Sequence, residues 1–207
     1  VGESGGVRVV PIDGAPERRL GGTRALVVTA RFSPDGRTLA GGGGDGELML
    51  WDLATGSSRT LVPRHGAVHD LAFSSDGHWL AAASASGEIG VYDLVSGHER
   101  SLFGHVGAVE KLAFLPGSSE LVSGGVDGTI RLWKLDDATL LSLIRVDGKV
   151  NAIAVDPAKR FVAVGTATGL AYRWPLAAFE PYATVLPKFL DQISRASYDA
   201  DAHLTSL

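Results

Sequence analysis

The stretch "FSPDGRTLAGGGGDGELMLWDL", residues 32 to 53, contains a G-x-G-x-x-G pattern at Gly41, Gly43 and Gly46. Such a loop can wrap a pyrophosphate only when a helix starts directly behind it, so that unpaired N–H groups and the positive end of the helix dipole face the anion. The residues that follow, "ELMLWDL", read as a strand. The glycines are therefore predicted to form a turn, wanted for positive φ and for the close approach of neighbouring chain. No nucleotide or other cofactor is expected there.

The histidines are the next candidates. His65 and His69 are four residues apart, a spacing that on a helix would turn two imidazoles to one metal ion. Here they straddle the beginning of a strand, so His65 is read as structural, His69 as a surface residue, and no metal site is expected. The chain has no cysteine, which removes disulfides, thiolate zinc sites and a cysteine nucleophile, and fits a reducing compartment; a cytoplasmic location is expected. There is no G-x-S-x-G elbow, and no carboxylate pair stands out beyond turn and edge positions. The "SPDG" and "SSDG" turns (33–36 and 74–77) resemble the Asp-boxes of glycosidase propellers but lack the glycine-threonine-aromatic run that follows them. No catalytic residue is assigned.

Composition excludes further classes. The 207 residues are 45% hydrophobic and 20% charged, with a net charge of −4, an ordinary globular balance. Lys and Arg occur singly, without the basic stripe that exchanges counterions with nucleic acid. No apolar run approaches the roughly 20 residues a membrane span needs. Neither nucleic acid nor membrane is an expected partner. The first residue is Val1 rather than Met, which suggests a piece of a longer or processed chain, and the Ala, Gly and Arg usage suggests a bacterial source.

What must position any site is a repeat. Trp51, Tyr92, Trp133 and Trp174 stand 41 residues apart, and so do Phe32, Phe73, Phe114 and Val155, and Gly46, Gly87, Gly128 and Gly169. Within one unit, "AVEKLAF", "ELVSGG", "TIRLWKL" and "LLSLI" read as four short strands parted by Gly and Asp turns. One such sheet cannot bury both faces. Sheets stacked about an axis can, and a four-stranded unit of about 40 residues is the signature of a propeller blade. The fold class is all-β, a β-propeller of four-stranded antiparallel blades with five periods of 41 residues.

The residues that recur resemble the WD-repeat (WD40-type) family. Gly104-His105, Phe114, the "PG" turn, Ser123, Asp127-Gly128 and Trp133 follow its pattern, as do residues 65–94 and the intact Trp51-Asp52 of the opening stretch. The resemblance spans nearly the whole chain. It implies a buried polar set of His105, Ser123, Asp127 and Trp133, complete only in this third full unit: the second has His65 and Tyr92 but Ala82 and Ser86, and the fourth Val146, Val164 and Thr168 with Trp174. It also implies a non-enzymatic scaffold or sensor that presents loops to a protein or peptide, and a module of a larger bacterial signalling protein, with other domains of the parent chain as neighbours, is expected. The partner-facing candidates lie in the bulge that opens each inner strand and before the second turn: His69, Asp70, Glu110, Lys111, Asn151 and Val126. The alternative reading is a catalytic or small-ligand-binding propeller with its site at the channel mouth.

The units are placed at 22–63, 64–104, 105–145 and 146–187, with the last two strands of a blade in 1–21 and the first two in 188–207. Two arrangements fit these half-blades. Strand 7–12 pairs with 202–207 to close a five-bladed ring, or the chain is an arc of a larger propeller, seven-bladed as is common in the family.

Overall fold

The computed structural model describes residues 2–13, 16–61 and 65–176. Among them every regular element is a strand: β1 (Gly2–Val9), β2 (Arg18–Phe32), β3 (Thr38–Gly43), β4 (Leu48–Asp52) and β5 (Ser58–Leu61) form a first antiparallel sheet in chain order. A second sheet holds β6 (Val68–Phe73), β7 (Trp79–Ser84), β8 (Ile89–Asp93) and β9 (Glu99–Leu102). The third is β10 (Val109–Phe114), β11 (Glu120–Gly125), β12 (Thr129–Lys134) and β13 (Thr139–Arg145). The fourth has β14 (Val150–Val155), β15 (Phe161–Thr166) and β16 (Ala171–Pro175). The fourth strand expected for that unit falls at 177–187, outside the described residues, and so does the strand expected at 202–207.

Turn chemistry sets the strand breaks. Asp45 Oδ1 accepts from Glu47 N at 3.0 Å while Gly43 N donates to Glu47 O at 2.8 Å, and Gly46 carries φ +89°. The glycine run is thus the end of β3 and a turn, with a strand behind it. Equivalent Asx turns close on Asp52, Asp93 and Asp127, as their short side chains favour.

Packing occurs between sheets rather than within them. Leu48 and Leu50 of the first sheet join Val68, Leu71 and Leu80 of the second in one core. Ile89 and Val91 of the second meet Val109, Leu112 and Leu121 of the third, and Val122 and Ile130 of the third meet Val150, Val162 and Val164 of the fourth. The inner strands β2, β6, β10 and β14 are successive neighbours. This is the radial stacking of propeller blades.

Each inner strand opens on a register shift, between Val27 and Thr29, Val68 and Asp70, Val109 and Lys111, and Val150 and Ala152. The bulged residues are Val28, His69, Glu110 and Asn151, one per blade, and a bulge re-aims its side chain out of the pleat. The sequence separated a strand ending near residue 21 from the next blade's first strand. In the structure β2 is continuous: Arg18 to Gly21 pair with β1, and Val27 to Phe32 pair with β3. β1 is the end strand of its sheet among the described residues.

Candidate functional site

Two clusters of polar residues come out of this scaffold. The first is inside the third blade. His105 Nε2 lies 2.8 Å from Ser123 Oγ, Trp133 Nε1 donates to the same oxygen at 2.8 Å, and His105 Nδ1 is 3.1 Å from Asp127. Indole N–H can only donate and a carboxylate can only accept. The proton of a neutral imidazole therefore sits on Nδ1 facing Asp127, and the Ser123 hydroxyl donates to Nε2. Asp127 also accepts from Val106 N at 3.0 Å and Thr129 N at 3.0 Å, which ties the loop before β10 to the turn before β12.

The electrostatics agree with that assignment. Burial pushes the His105 imidazole below its ordinary pKa, against the opposing pull of Asp127. Burial alone would raise Asp127, yet the donations from Val106 N, His105 and Thr129 hold it below the usual carboxylate range. Ser-His-Asp connectivity of this kind can also activate a nucleophile. Here Ser123 is 0% exposed and its oxygen is occupied by Trp133, so no substrate carbonyl can reach it. The arrangement is a staple.

The other blades lack the set and solve the same problem differently. With Gly41 in the serine column, Trp51 Nε1 donates instead to Gly21 O at 2.8 Å. In the second blade Ser84 Oγ donates to His65 O and lies 3.0 Å from Ser86 Oγ, while the His65 ring is 92% exposed. In the fourth, Trp174 stacks on Tyr172 with centroids 5.0 Å apart.

The second cluster lies at the bulges. His69 Nδ1 is 3.5 Å from Glu110 Oε1, and Lys149 Nζ is 3.0 Å from the same oxygen. Lys149 was not singled out in the sequence; it precedes β14 by one residue, and only the fold brings it to Glu110. Lys111 is half-buried, Asn151 is exposed and Val126 is 38% exposed. Asp70 is elsewhere in role: at 3% exposure it accepts from Arg31 at 2.9 Å and from Leu112 N at 3.1 Å. A residue read as partner-facing is a clamp across three blades. Around this end the connections and turns expose Phe103, Val106, Val126 and Leu170, and the bulged part of β2 exposes Leu26 and Val28. Among the described residues no three metal-ligating side chains converge, and no helix is long and apolar enough to cross a membrane.

The model of the family described as "WD domain, G-beta repeat" matches residues 14–52, 53–93 and 97–134, more than half of the chain. The chain belongs to the WD-repeat family. Among solved structures, a chain of "Crystal Structure of Mitotic Checkpoint Complex" superposes with a TM-score of 0.74 at 24% identity, over 82% of this chain and 54% of that one. A chain of "Crystal structure of RRP9 WD40 repeats" superposes with a TM-score of 0.63 at 22% identity, over 76% and 53%. This WD-repeat chain thus spans about half the length of the solved propellers it matches, and the likeness carries the fold. WD-repeat propellers are in general protein-interaction scaffolds.

Proposed function

We propose that this chain is a non-enzymatic interaction scaffold that holds a protein or peptide on the face formed by the inter-blade connections and the turns before β4, β8, β12 and β16. The observation that carries the reading is where apolar side chains are left exposed. Of the ten large ones exposed among the described residues, Phe103, Val106, Val126 and Leu170 lie in connections and turns of this end and Leu26 and Val28 at the bulge of β2, beside the His69–Glu110–Lys149 cluster. An apolar rim around mixed charge suits a peptide surface, since buried apolar area supplies affinity and the charges supply register. Groups whose protonation is displaced lie in turn-capping aspartates, the buried His105–Asp127 pair and the Asp156–Arg160 pair. They hold loops, which favours a binding role over catalysis. A cysteine-free scaffold of this kind is proposed to work in the cytoplasm, as one module of a longer signalling protein.

The test is affinity capture with the wild-type chain and with a V106D/V126D variant, the retained proteins being identified by mass spectrometry. A partner held by the wild type and lost by the variant, at equal melting temperature, supports the reading. A partner held equally by both overturns the assignment of this face.

A further inference from the structure

The opposite face carries a second feature, at the boundary of the first two blades. Between the 33–37 and 53–57 turns of the first blade and the 74–78 turn of the second lies a cavity of about 650 Å³, within the range of ligand pockets. A smaller one of about 230 Å³ runs on from it along β5, and both are lined by Arg59 and Leu94. Together they make a groove one extended segment long.

Comparison with the next boundary shows why the cleft is open. Between the second and third blades, Gly117 N donates to Ser75 Oγ at 2.8 Å, and Arg100 donates to Leu135 O and Asp136 O, both at 2.8 Å. One period of 41 earlier these positions are Asp76, Pro34, Arg59, Leu94 and Val95. Pro34 has no hydroxyl to accept, so the first clasp cannot form. Arg59 keeps the guanidinium of Arg100, yet it is exposed and has no side-chain partner among the described residues. A repeat that closes one boundary with its own backbone carbonyls presents, at the other, the same donor to something else.

The walls specify the occupant. Asp35, Asp52 and Asp76 line the larger cavity together with one guanidinium, that of Arg59, and with Leu50, Phe73 and Leu94. Each aspartate uses Oδ1 to cap its own turn, and the carboxylates remain ionised. The aliphatic stem and cationic head of a long basic side chain match a lining of apolar side chains and acids, and Arg59 would donate to the main-chain carbonyls of a bound segment as Arg100 does to Leu135 O and Asp136 O. β5, the end strand of its sheet, lines both cavities. We propose that this cleft docks an extended peptide segment bearing a lysine or arginine side chain, independently of the partner on the opposite face.

The experiment is an NMR titration of the full 207-residue chain with acetyl-Ala-Leu-Lys-Ala-Leu-amide and with its Glu-centred counterpart. The Lys peptide is expected to shift Phe73 and Leu94 resonances saturably and to bind about tenfold more tightly than the Glu peptide. D52N/D76N retains the turn-capping oxygens and loses the charge, so it should weaken the Lys peptide by about the same factor. R59Q, at an exposed residue without a partner among the described residues, should weaken both peptides, whereas D137N on the same face but outside the cleft and V106D/V126D on the other should weaken neither. Equal binding of the two peptides, unchanged binding by D52N/D76N and R59Q, or shifts confined to the Val126 face would overturn the proposal. Concentration-dependent shifts at the cleft without peptide would place a second copy there and overturn it too.

Discussion

Gly42 lies directly against Val68 of the neighbouring blade: a Cβ built on Gly42 would stand 2.5 Å from Val68 Cγ1 and 2.6 Å from its Cβ. Gly124 stands in the same relation to Val150, at 2.5 Å from Cγ1. Glycine at these two positions is thus explained by blade stacking, with the valine of the next inner strand seated on the backbone, whereas the second blade carries Ala83 in the same column. At Gly165, the fourth member of the column, a Cβ would meet Ala152 Cβ at 3.6 Å, the nearest contact among the described residues.

That contrast makes the first prediction. Val68 is β-branched and 0% exposed, so it cannot swing aside, and Gly42→Ala or Gly124→Ala should destabilise by about 1–3 kcal/mol through overpacking. Gly165→Ala, whose Cβ has ordinary contact distance to its nearest neighbour among the described residues, should be neutral or slightly stabilising, since alanine restricts the unfolded chain. Urea titrations of the three variants check this, and equal midpoints would remove close packing as the reason for glycine.

Removing His105 should cost more than removing His65. His105→Ala leaves the Ser123 hydroxyl and the Asp127 carboxylate in a buried site without the partner they share, an expected loss of about 1–3 kcal/mol. His65→Ala touches a ring that is almost wholly exposed and should stay within about 0.5 kcal/mol of wild type. Guanidinium titrations that found equal losses would show that the third blade's polar set has no special energetic weight.

The same residue predicts a pH dependence. Burial lowers the His105 pKa from its ordinary 6.5 in the folded state, so between the two values the unfolded chain binds more protons than the folded one. Its contribution is fully present above about pH 6.5 and declines as pH falls toward the folded value. His105→Gln should therefore flatten the loss of stability between about pH 7 and pH 5. Asp156 acts in a separate, more acid window: its bidentate pair with Arg160 (2.7 and 3.0 Å) holds its pKa down to about 2. That stability is present above the ordinary carboxylate value and is lost as pH drops through about 2, so Asp156→Asn should change the acid limb of the profile and leave the neutral one as it was.

How much of this could be read from the chain depends on what the periodicity encodes. A 41-residue column fixes which residues occupy like places, so Gly46, Trp51 and the bulge residues His69, Glu110 and Asn151 could be aligned without coordinates. The column also named His105, Ser123, Asp127 and Trp133, the four side chains now linked by hydrogen bonds. Contacts across blades were beyond it. Lys149 meets Glu110, and Arg59 differs from Arg100 in having no carbonyl to bind, only because of how adjacent sheets sit. Nor does a column reveal depth: Asp70 and Lys111 share one, yet Asp70 is 3% exposed and Lys111 is half-buried.

Asp70 supplies the last prediction. Its Oδ1 accepts from Arg31 on β2 and its Oδ2 from Leu112 N on β10, so one side chain on β6 links three consecutive blades. The Arg31 side chain is 52% exposed, and water can replace part of what it loses. Leu112 N is not so placed, because Leu112 is 7% exposed. Asp70→Ala should therefore cost about 1–3 kcal/mol, most of it from the backbone N–H left without an acceptor. Asp70→Asn can still present an oxygen to Leu112 N, should cost less, and should lose mainly the attraction to Arg31. Asn151→Ala, at the exposed bulge of the fourth blade, provides the reference for a surface residue, within about 0.5 kcal/mol of wild type. Hydrogen exchange at Leu112 N reads the contact directly: faster exchange in Asp70→Ala than in Asp70→Asn is expected, and equal protection in both would mean that the carboxylate does not hold that amide.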